Sequence, residues 1–124
     1  MGMRRPHIGD MPVFGSELAL LYLGGRSALL ADTLLRFADE YAASGALASL
    51  RARTDRVQAF HDVHTLKGAA GMLGLGAVQN AATELEQILF SEGGPWPDAS
   101  ALDAALAESL AAMPGLARQL RDRQ

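Results

Sequence analysis

The run His64-Thr65-Leu66-Lys67-Gly68-Ala69-Ala70-Gly71-Met72-Leu73-Gly74 sets a histidine, a lysine and a glycine at i, i+3 and i+4. On a helix all three share one face. Gly71 follows at i+7 on that face. Ala59, Val63, Leu66, Ala70 and Leu73 recur at helical spacing on the other side and read as a core stripe. The pattern predicts a helix from Thr54, its expected N-cap, to about Leu73, with Gly74 and Gly76 breaking the chain after it.

The same periodicity recurs on both sides of this helix. Leu30, Leu34, Phe37 and Tyr41 form one stripe on a helix expected over 27–43, with Ser27 as its cap. Ser44-Gly45 ends it, and Ala46–Arg51 reads as a short helical connector. Beyond the central run, Val78, Ala82, Leu85 and Leu89 face inward on a helix over about 77–91. Gly93-Gly94-Pro95-Trp96-Pro97 is a loop. Asp98 or Ser100 starts the last helix, with Leu102, Leu106, Ser109 or Leu110, and Met113 inward. Pro114-Gly115 should kink or end it, and 116–123 can resume it. Near the N-terminus, 1–14 reads as a flexible arm and 16–23 as a short helix stopped by Gly24-Gly25. The expectation is an all-α chain: an antiparallel up-down four-helix bundle with a short additional N-terminal helix, occupying residues 15–124.

Composition agrees. The 124 residues fit one domain, and 49% of them are hydrophobic, enough to bury a core. Alanine and leucine dominate over β-branched and aromatic residues, which favours helix. A net charge of −3 without a basic block argues against nucleic acid. No apolar run reaches the ~18 residues of a membrane span, and no signal-peptide core follows Arg4-Arg5. With no cysteine, disulfides and thiolate metal sites are excluded, and a cytoplasmic home is expected.

The face opposite the core stripe is unusual for a solvated surface. It carries Val57, Phe60, His61, His64, Lys67, Gly68 and Gly71. A helix-interior glycine costs about 1 kcal/mol against alanine, an exchange this alanine-rich chain could make readily. Gly68 and Gly71 therefore suggest close approach of a partner to the backbone, and the apolar Val57 and Phe60 point the same way. An imidazole, an ammonium and bare backbone together suit holding a phosphoryl group where another protein must come close. Each residue also has a plainer reading. His64 alone is a surface histidine, Lys67 a solvated charge, Gly68 a tight helix contact, and Phe60 a residue packed on a neighbouring helix.

Together these residues resemble the signature of histidine-containing phosphotransfer (HPt) domains, H-x-L-K-G-x-x-x-x-L/F-G around a phosphorylated histidine. The chain is similar both to stand-alone or hybrid-kinase HPt domains and to the phosphotransfer domain of chemotaxis-type histidine kinases. Leu85-Glu86 stands where the family has a Leu-Glu or Met-Glu pair, and Ala69-Ala70 departs from it where a serine often comes first. The resemblance implies a monomeric carrier in a bacterial two-component phosphorelay. His64 would accept the phosphoryl group on Nε2, Lys67 would offset its charge, Gly68 would leave room for a response-regulator receiver domain, and Glu86 would accept a hydrogen bond from the other ring nitrogen. Val57, Phe60, His61 and Gly71 complete the expected docking face. Receiver and histidine kinase are the implied partners, with Mg²⁺ expected on the receiver and no cofactor on this chain. Imidazoles as a class titrate at about pH 6.5, so much of one is nucleophilic at neutral pH. The chain has no G-x-x-x-x-G-K-[ST] and no kinase-type glycine loop, so it is expected neither to bind ATP nor to phosphorylate itself.

Rival readings share these residues. His61 and His64 at i, i+3, with Asp62 and Glu86 as further candidates, have helical metal-site spacing. A stable site needs three or four converging ligands, so no metal is expected. The other alternative is an interaction bundle that docks receivers without passing phosphate, or the phosphotransfer fragment of a larger kinase.

Overall fold

In the computed structural model the described residues are 26–43 and 45–122, and all their regular structure is helical. The elements are α1 (Ser27–Ala42), α2 (Ala48–Ala52), α3 (Arg56–Leu73), α4 (Gly76–Phe90) and α5 (Ser100–Asp122). The expected arm over 1–14 and helix over 16–23 lie outside the described residues.

Helix α3 packs along α4 and α1 along α5, while α2 rests on α3 and α4 also meets α5. The core they enclose is aliphatic. All five residues of the stripe read on α3 are buried, as are the four read on α4. On α1, Leu30, Leu34 and Phe37 are buried, and Tyr41 is only half-buried, its ring 4.6 Å from that of Phe37. On α5 the inward residue of the undecided pair is Ser109, with Leu110 half-buried beside it. Among the described residues no helix is long and apolar enough to cross a membrane.

Several boundaries differ from expectation for local reasons. Asp55, not Thr54, caps α3, its carboxylate accepting from the Gln58 N–H at 3.0 Å. Ser27 is the first helical residue of α1 and is buried, the cap position being Arg26. Gly74 ends α3 in the left-handed region at φ 74°. The Leu75 N–H then reaches back to the Ala70 carbonyl at 2.8 Å, and Leu75 itself is buried. Gly76 is not a break but the first, buried residue of α4. Pro114 neither ends nor divides α5. Its missing N–H falls on the exposed face, where water can serve the freed carbonyl, while Met113, Ala117 and Leu120 carry the buried stripe through it. Packing against α1 outweighs the proline, helped by an Arg121–Asp32 ion pair at 2.7 Å.

The α3–α4 pair is locked at one end by Arg56. Its guanidinium donates to the carbonyls of Ile88 at 2.7 Å, Leu89 at 3.1 Å, and Gly94 and Pro95 at 3.2 Å each. The same group lies 5.8 Å from the Trp96 ring centroid, and the Trp96 indole donates to the Leu50 carbonyl at 3.1 Å. One cation thus serves carbonyls at the C-terminus of α4, where positive charge is favoured, and pins the loop to α3.

Candidate functional site

His64 lies midway along α3 with 58% of its side chain exposed. The core stripe of that helix fixes its rotation, which turns His64 away from the interior. Across the groove, burial of Leu85 and Leu89 turns Glu86 on α4 towards it. The His64 Nδ1 and the Glu86 Oε1 stand 3.2 Å apart. Lys67, one turn after His64, donates to the same Oε1 at 3.1 Å and lies 2.8 Å from Oε2. Glu86 is therefore a shared acceptor between two α3 residues, and only 17% of its side chain is exposed.

Burial alone would raise the Glu86 pKa. Hydrogen bonds from Lys67 and His64, together with their charge, outweigh it and hold the carboxyl below its ordinary value. An ionised carboxylate only accepts, so the proton of the His64–Glu86 contact sits on Nδ1. In the neutral ring that leaves the Nε2 lone pair free on the exposed side of the imidazole.

The surroundings are apolar and open. A Cβ built on Gly68 would meet nothing within 4 Å among the described residues. Phe60, one turn before His64, lies nearly parallel to the imidazole, at 10° and 6.1 Å between centroids. It also meets the His61 ring edge-on at 6.0 Å and Phe90 of α4 at 6.0 Å. Val57 and Phe90 are 68% and 76% exposed, a costly placement for apolar side chains without a partner. With Arg56, Phe60, Leu89, Glu92 and Gly93 they line an open cleft of about 340 Å³ beside His64.

Of the residues singled out from sequence, His64, Lys67 and Glu86 come together, and Val57, Phe60, His61 and Gly68 lie on one surface around them. Gly71 does not join that open surface. It is half-buried, and a Cβ there would come 2.7 Å from the Gln79 amide nitrogen. The α4 contribution was missed: Phe90 is an exposed apolar residue in contact with Phe60 beside the site. Arg56 was missed too, although a basic residue in the first turn of a helix opposes the helix dipole and signals a partner elsewhere. No group of three or more His, Cys, Asp or Glu side chains among the described residues is arranged to hold a metal ion.

A family model described as Hpt domain matches residues 29–121. No curated protein and no solved structure matches the chain.

Proposed function

The chain belongs to the Hpt domain family, whose members serve histidine phosphotransfer in phosphorelays, and from that premise we propose that His64 is its phosphoacceptor. The observation that carries this reading is the Nδ1 contact to an ionised Glu86, which leaves Nε2 as the free nucleophile on an exposed ring.

The step balances on these groups. The Nε2 lone pair attacks phosphorus of a receiver's aspartyl phosphate. The bond from phosphorus to the aspartyl oxygen breaks, and the carboxylate leaves with its electron pair. The ring becomes an N-phosphoryl imidazolium that keeps its Nδ1 proton against Glu86. Transfer in the other direction reverses each change. Lys67 supplies positive charge beside the group, and positioning with charge stabilisation is most of what such a reaction asks of a protein. Mg²⁺ belongs to the receiver in this reading. The open backbone at Gly68 and the apolar residues Val57, Phe60 and Phe90 form the docking surface, with His61 at its edge. The arrangement of α1, α3, α4 and α5 as an antiparallel up-down bundle belongs to the same reading, supported by their short connections.

The test is a transfer time course from a phosphorylated receiver domain, run on the intact chain and on His64→Gln. The intact chain gains label as the receiver loses it, and His64→Gln gains none. Equal label on both refutes the assignment.

A further inference from the structure

An imidazole with more than half its side chain exposed has several wells to occupy, and one hydrogen bond at its edge does not choose among them alone. Helical side chains lean towards the N-terminus, which sets the His64 ring over the residue four positions earlier. That residue is Phe60, and the two rings lie within 10° of parallel at 6.1 Å, inside the range of an offset aromatic pair. Phe60 is itself held, half-buried against the core and in contact with Phe90 at 6.0 Å. His64 thus meets an aromatic face on one side and the Glu86 carboxylate at Nδ1.

We propose that Phe60 is a positioning residue for phosphoryl transfer: its ring, stacked on the imidazole, holds His64 in the one rotamer that keeps Nδ1 on Glu86 and turns Nε2 outward. This rests on the reading of His64 as phosphoacceptor. It goes beyond a docking role for Phe60, because it requires an effect even when no protein docks. On a helix an unrestrained imidazole shares two χ1 wells and a two-fold χ2, so loss of the stack reduces the productive fraction by at most about fourfold.

A small phosphoramidate donor isolates the effect from docking. Its P–N bond breaks, ammonia leaves, and a new P–N bond forms to Nε2. Labelling rates are measured on the intact chain, Phe60→Leu and Phe60→Tyr. His64 χ1 and χ2 populations are read by NMR couplings on the same samples. The expected result is one dominant His64 rotamer in the intact chain, rotamer averaging with labelling slowed about two- to fourfold in Phe60→Leu, and recovery of both in Phe60→Tyr. An averaged imidazole in the intact chain overturns the proposal, and so does a Phe60→Leu protein with unchanged rotamer and rate. Failure of the intact chain to label at all refutes the phosphoacceptor reading instead, and the NMR populations still decide the role of Phe60.

Discussion

Gly68→Gln should make the protein more stable and its transfer to a receiver much slower. Gly68 sits inside α3, where glycine is about 1 kcal/mol worse than alanine and glutamine is nearly as good as alanine. A Cβ at this position meets no atom of the described residues within 4 Å, so no clash with them offsets that gain. The expected stabilisation is about 0.5–1 kcal/mol, a rise of roughly 2–5 °C in melting temperature for a domain of this size. The added side chain leans towards the N-terminus of α3, over His64. A receiver must bring its aspartate within bonding range of Nε2 across this surface, and a misplacement of ~1 Å can cost about 100-fold in rate. Thermal melts and a transfer time course on one preparation read both quantities, with phosphoramidate labelling as a control that needs no docking. A fall in stability would mean that Gly68 is a packing glycine. Unchanged transfer to the receiver would mean that docking occurs elsewhere, and the account of this face would be refuted.

Other consequences follow from the side chains around the site. Arg56→Ala leaves four carbonyls without their shared donor and should cost about 2–3 kcal/mol in denaturant unfolding, with Arg56→Lys restoring less than half because an ammonium cannot span the fork; a loss below about 0.5 kcal/mol contradicts the clamp. The Glu86 carboxyl is held below its ordinary value of 4.5, so its contribution to stability is fully present above that pH and is lost as pH falls through the lower folded value. The stability gap between the intact chain and Glu86→Gln should therefore shrink as pH falls below 4.5; a gap that widens over that acid range contradicts the sign. Ser109 is buried in α5 with a hydroxyl that has no partner among the described residues, so Ser109→Ala should be neutral or stabilising by up to about 1 kcal/mol, and a clear loss of stability on melting would reveal a partner for that oxygen.

Much of the architecture is legible as periodicity, because burial is what periodicity records. The five residues read as the inner stripe of α3 are the five it buries. The readings that differ depend on information absent from a single helix. Thr54 and Asp55 are both competent caps, and only the turn geometry selects Asp55. Pro114 argues locally for a break, and only the docking of Ala117 and Leu120 on the core overrules it. Gly68 and Gly71 look alike in sequence, yet one is open and the other lies beneath Gln79 of the next helix. The same limit applies at the site. Spacing alone sets His64 beside Lys67, whereas the Glu86 contact, the Phe90 neighbour and the Arg56 clamp all cross from α3 to α4 or the loop beyond it.

The central claim is tested most directly by locating the phosphoryl group. After labelling with a phosphorylated receiver, fragmentation mapping and ³¹P NMR should find an acid-labile, base-stable phosphoramidate on Nε2 of His64 alone. Lys67→Ala should shorten its lifetime by up to roughly fivefold, consistent with a half-exposed charge contact of about 1 kcal/mol. Label on His61, on a hydroxyl or on a carboxylate, or full labelling of His64→Gln, would contradict the account.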